Sequence, residues 1–232
     1  MIFLVSVVGY SQPNWNGEQL VIQNSNITRI VVLKDGAFTT QSYRLIDCPY
    51  NFVSITGKEP IPFNQKDESN RNNSQKWNGN DPEEFSFLLN DVEVTGKSGW
   101  IVLGVEEDVD GQEKKQQIKL KGISDVNQNL EITVTYLTYP ELPLVRKKIA
   151  FRNLGTDKIK LESLSIESLN IPWGNTYNIV WQNYGRYKHI GPFLGNWDDP
   201  LVISHNPELR LGIAIGNEAP GILKRTSVCL DG

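Results

Sequence analysis

Sulfur and imidazole are scarce in this chain. Its 232 residues include two cysteines, two histidines and one methionine. Cys48 and Cys229 stand far apart and form no CxxC, so a disulfide framework is excluded and at most one bridge is allowed. Structural zinc needs four Cys or His ligands at close spacing, so no metal site is expected. Positive charge is not concentrated either. The 23 Lys and Arg are scattered and outnumbered by 27 Asp and Glu, giving a net charge of -4. Nothing here neutralises a phosphate backbone, and nucleic acid is not an expected partner. Nucleotide loops of the GxGxxG or P-loop type, GxSxG and HExxH are all missing, and no cofactor is expected.

Long apolar runs are missing as well. The longest candidate opens the chain, MIFLVSVVGYSQ, whose apolar residues 2–8 are too few to span a bilayer. No membrane span is expected. The run is followed by Gly9 and Ser11, which reads as the tail of a secretory signal over residues 1–12, with a buried first strand as the alternative. The signal reading places the protein outside the cytoplasm, secreted or periplasmic.

What the chain does contain is strand. LEITVTYLTY puts Leu130, Ile132, Val134 and Tyr136 on one face and Glu131, Thr133 and Thr135 on the other. LVRKKIAFRN follows with Val145, Ile149 and Phe151 opposite Arg146, Lys148 and Arg152, and Lys147 breaks the apolar row. In IKLESLSIESL the apolar parity shifts between Leu161 and Leu164, which predicts a β-bulge near Glu162 and Ser163. Asp35-Gly36 predicts a hairpin turn, and a second tip is expected at Val109-Asp110-Gly111-Gln112. No window shows helical periodicity with caps. The predicted class is all-β, an antiparallel sandwich spanning 13–232. The Asn-rich stretch from Pro62 to Glu84 is expected as a long polar loop or a disordered insertion.

The chemistry-bearing stretch is WQNYGRYKHIGPFLGNWDDP, Trp181 to Pro200. Trp181, Tyr184, Tyr187 and Trp197 suit stacking on sugar rings, because each offers a flat apolar face and a polar handle. Arg186 and His189 would supply hydrogen-bond donors. Asp198 and Asp199 are the obvious carboxylate pair for glycoside hydrolysis. Neighbouring residues on a strand point to opposite faces, however, and turn chemistry accounts for Asp-Asp-Pro by itself. Core packing remains the competing reading for Trp181. His189 or His205 with Glu208 would serve a small mutarotase-type enzyme.

These residues also carry a resemblance. The run YPELPLVRKKIAFRNLGTDKIKLESL resembles the N-terminal β-supersandwich domain of glycoside hydrolase family 36, the α-galactosidase group. The matching positions are Tyr139, Pro140, Pro143, Arg146, Asn153, Gly155, Ile159 and Leu161, and ITRIVVLKDGAF looks like the opening strands of such domains. The resemblance implies a galactose mutarotase-like supersandwich. It implies a downstream (β/α)₈ barrel that carries both catalytic Asp residues, and no residue of this chain matches their motifs. It further implies a role in oligomerisation and in lining a galactoside site. A stand-alone carbohydrate-binding module is the alternative, with the same aromatics as its platform.

Overall fold

The computed structural model describes residues 14–53, 82–171, 177–181, 188–191, 195–197, 201–218 and 226–228. Within them the chain is all-β, with sixteen strands. No helix among the described residues is long and apolar enough to cross a membrane. The chain divides into two compact units, residues 1–58 with 80–171, and residues 59–79 with 172–232.

Among its described residues the first unit holds three antiparallel sheets. One joins β1 (Gln19–Gln23), β2 (Ile27–Lys34) and β3 (Ala37–Leu45) in that order. Asp35 and Gly36 link Lys34 to Ala37 with φ of 51° and 76°. Two left-handed residues are what a type I′ turn requires, so the Asp-Gly expectation holds. The second sheet runs β10-β4-β5, from β4 (Ser86–Leu89), β5 (Val92–Thr95) and β10 (Leu161–Ser165). The register of β10 on β4 slips between Glu162 and Ser165, and Ser163 has φ 51°. The predicted bulge is therefore present.

The third sheet is a four-stranded meander of β6 (Trp100–Asp110), β7 (Glu113–Gly122), β8 (Leu130–Tyr139) and β9 (Leu142–Asn153). Its first hairpin corrects one expectation. Asp110 pairs with Glu113, so the loop is Gly111-Gln112 and the tip lies one residue later than predicted. Only Gly111 of that turn has positive φ, 58°, which matches the glycine-first pattern of type II′.

Alternation decides which faces are buried. Leu130, Ile132, Val134 and Tyr136 of β8 are all buried, as the period of two required. They join Leu20, Ile22, Val31 and Phe38 from the first sheet and Phe87, Leu89 and Val94 from the second in one core. Trp100 closes its end, edge-on to Phe85 at 5.4 Å between centroids, with its indole N–H donating to the Thr95 carbonyl. Each large side chain so buried contributes roughly 1.5–3 kcal/mol.

The end of the polar segment departs from expectation. Glu83 bridges Thr39 of β3 and Ser168, and Glu84 is fully buried. These two residues belong to the folded body rather than to a surface loop.

The second unit contains β11 (Tyr177–Trp181), β12 (Lys188–Gly191), β14 (Leu201–Asn206) and β15 (Leu211–Gly216) in the order β12-β11-β14-β15. A short ladder pairs β13 (Gly195–Trp197) with β16 (Thr226–Val228). Asn206 starts the β14–β15 turn by accepting the N–H groups of Glu208 and Leu209 through Oδ1.

Candidate functional site

The densest collection of ionisable groups among the described residues lies inside the first unit. Arg29 sits on β2, the central strand of its sheet, where both faces are covered. The register sets it opposite Tyr43 on β3, and its guanidinium lies 5.3 Å from that ring's centre. The ring of Tyr136 from β8 is 5.4 Å from it. Two rings thus neighbour the guanidinium, and two carboxylates approach it. Glu167, just after β10, takes a bidentate pair from Nη1 and Nη2 at 2.7 and 2.8 Å. Glu84 accepts from Nη2 at 2.7 Å.

Glu84 has further partners. Thr40 Oγ1 donates to its Oε1, and Tyr136 O–H donates to Oε2 at 2.5 Å. Lys147 of β9 places its ammonium 2.6 Å from Oε2 and also donates to the Glu84 backbone carbonyl. The same ammonium is 3.6 Å from Glu167. The interruption of the apolar row by Lys147 is thereby explained. The side chain points inward with Val145 and Ile149, is 5% exposed, and meets a carboxylate that is 0% exposed.

Two cations thus face two anions, with Arg29, Glu84 and Lys147 almost wholly buried and Glu167 partly exposed. Burial by itself pushes a carboxyl up, but Arg29 and Lys147 overcome it and hold Glu84 well below the usual carboxylate range. Burial likewise opposes the charge on Arg29, and Glu167 and Glu84 more than restore it, raising the guanidinium above its ordinary value. Burial pushes Tyr43 up to about 12, against the pull of Arg29. Burial, with Glu84 next, raises Tyr136 well above the phenol's normal range.

This electrostatic state decides what the cluster can do. A general acid must carry a proton near neutral pH and reach a substrate. Glu84 is held ionised, is sealed from solvent, and has its oxygens committed to Arg29, Thr40, Tyr136 and Lys147. The cluster is therefore a clamp. It ties β2 and β3 of one sheet, β8 and β9 of another, and the segments at Glu84 and Glu167 that flank the third. Among the described residues no group of three His, Cys, Asp or Glu side chains is arranged to hold a metal.

The sugar-facing candidates lie in the second unit. Strands occupy residues 181, 188–191 and 195–197 of the Trp181 to Pro200 stretch. His189 is on β12 opposite Val180, and Trp181 pairs with Lys188 at the inner end of the β11–β12 hairpin. Trp197 ends β13 opposite Thr226. Tyr184, Arg186, Tyr187, Asp198 and Asp199 lie outside the described residues. His205 is on β14 opposite Tyr177, while Glu208 lies in the β14–β15 turn. The two histidines therefore sit on strands either side of β11, three register positions apart.

No protein-family model matches the chain, and no curated protein sequence matches it. Solved structures do. An α-galactosidase from Lactobacillus brevis superposes with a TM-score of 0.51 at 13% identity, over 82% of this chain and 31% of its own. The GH36 α-galactosidase AgaA from Geobacillus stearothermophilus gives 0.53 at 12% identity, over 82% of this chain and 32% of its own. An A355E D478A variant of AgaA in complex with stachyose gives 0.52 at 13% identity, with the same coverages of 82% and 32%. The fold is one found within family 36 α-galactosidases. This bears out the architecture that the resemblance implied. The chain spans under a third of the length of each of these enzymes.

Proposed function

We propose that this chain is the N-terminal sandwich part of an α-galactosidase-like glycoside hydrolase, supporting a catalytic (β/α)₈ barrel and lining one side of its sugar site. One observation carries the reading. The likeness takes in 82% of this chain but only 31–32% of the galactosidase chains, as a supporting domain of a larger enzyme would. A barrel of the expected kind needs about 250 residues, which fits within the remainder of such chains. In this reading the chemistry belongs to the barrel, and the Arg29–Glu84 clamp holds the sandwich rigid beside it. The wall of the galactoside site is formed by Tyr184, Arg186, Tyr187, His189, Trp197, Asp198 and Asp199. Secretion or periplasmic location and self-association belong to the same proposal.

Immunoprecipitation from source cells with antibody against this chain tests it. The expected product is a species much larger than 232 residues that cleaves an α-galactoside. A species of this chain's own size without activity removes the reading and leaves a stand-alone carbohydrate-binding module.

A further inference from the structure

A second surface has the chemistry of a sugar contact, in the first unit and built from other residues. Before β1 the chain folds back on that strand, and Trp15 pairs with Leu20. Asn16 shapes the return, its Oδ1 accepting the N–H groups of Glu18 at 3.0 Å and Gln19 at 2.7 Å. Leu20 and Ile22 enter the core, so alternation turns Gln19, Val21 and Gln23 to the opposite face. Together with Asn14, Trp15 and Asn16 they line a wide-mouthed cavity of about 360 Å³. That volume lies at the small end of ligand sites.

The lining decides what fits. It holds one indole, one valine and four carboxamides, with no charged side chain. Phosphates, carboxylates and ammonium groups find no counter-charge. Asn16 has spent its oxygen on the turn and keeps its donor pair; the other carboxamides carry a donor pair and an acceptor, which match the vicinal hydroxyls of a neutral sugar, and the indole offers the apolar face of a ring somewhere to rest. An extended peptide is disfavoured for a separate reason. The outward edge of β1 is paired at Gln19 and Val21: Val21 N–H donates to the Asn14 carbonyl, the Gln19 carbonyl accepts from Asn16 N–H, and the Val21 carbonyl accepts from the Gln116 side chain. Along Gln19 to Val21 no ladder is left for a peptide to join.

We infer that Trp15, with Asn14, Asn16, Gln19 and Gln23, forms an auxiliary binding site for a neutral glycan. The inference rests on the glycoside-hydrolase reading for its choice of a galactosyl ligand. Its residues are other than those of the Trp181 to Pro200 stretch. Because the site is shallow, binding is weak, in the millimolar range.

Saturation-transfer NMR on the full chain tests this, with stachyose as the neutral probe and galacturonate as the charged one. The expected result is transfer to stachyose and none to galacturonate. Transfer is lost in Trp15→Ala, retained in Trp15→Phe, and weakened in the Gln19→Ala Gln23→Ala double variant. Trp15 also packs on the core, so Trp15→Ala is first checked by thermal melting. If it does not fold, the double variant decides, and unchanged transfer there overturns the inference. Absence of transfer to the parent chain, or transfer lost only in Trp197→Ala, also overturns it. Neither result touches the proposed function, which the size and activity of the native species decide.

Discussion

Replacing Glu84 with glutamine should be among the most damaging single-atom exchanges in this protein. The side chain is completely buried and takes hydrogen bonds from Arg29, Thr40 and Tyr136 as well as the Lys147 ion pair. Glutamine keeps the shape and one acceptor oxygen. Its Nε2 then faces the Lys147 ammonium, donor against donor, and one buried positive charge is left uncompensated. Arg29 keeps its bidentate partner Glu167, so the loss falls chiefly on Lys147. Removing one member of a buried pair costs about 3–5 kcal/mol. For a domain of this size that lowers the melting temperature by roughly 6–20 °C.

The same substitution should flatten the acid limb of the stability curve. The Glu84 carboxyl lies lower in the folded chain than its ordinary 4.5. Its contribution is therefore fully present above about pH 4.5 and is lost as the pH falls toward its folded value. Over that window the unfolded state binds one more proton, a slope of about 1.4 kcal/mol per pH unit, which the variant lacks. Urea denaturation of both proteins between pH 3 and 7 reads both effects. Coupling to Lys147→Met in a double-mutant cycle should reach about 0.5–3 kcal/mol. A loss below about 1 kcal/mol with an unchanged acid limb is the behaviour of a solvated pair, and would refute the clamp.

Other substitutions probe the frame and the rings. A Cβ on Gly122 would collide with the backbone oxygen and side chain of Asn127, whereas one on Gly104 meets nothing within 4 Å. Gly122→Ala should therefore cost about 1–3 kcal/mol by chemical denaturation. Gly104→Ala should be neutral or slightly stabilising. In an ultraviolet titration, Tyr43 should ionise only near pH 12 while the chain stays folded, because burial raises it to about 12 from 10.0. Stability should fall as the pH rises between those values, since the unfolded chain releases that proton first. Tyr136→Phe removes the 2.5 Å bond to Glu84 and should cost about 1–3 kcal/mol in the same denaturation assay.

Local pattern determined much of this protein. Period-two alternation fixed β8 and β9 and the faces they bury. Asp35-Gly36 fixed a turn, and a parity shift fixed the bulge at Ser163, because each is a matter of neighbours one to four residues apart. The hairpin tip at Gly111 was missed by one residue, since Asp-Gly and glycine-first turns share the same local cue. Among the sugar-facing candidates, the sequence supplied residue types and the backbone added strand positions for His189 and Trp197.

The clamp left only traces in the sequence, an arginine inside the apolar run of β2 and a lysine interrupting that of β9. Their partners lie far along the chain: Glu84 is 55 residues from Arg29, and Glu167 is 138. Periodicity carries no information at that range. A charged residue is tolerated in a core only where the packed sheets bring its counter-charge within about 3 Å, and that meeting exists only in the tertiary structure.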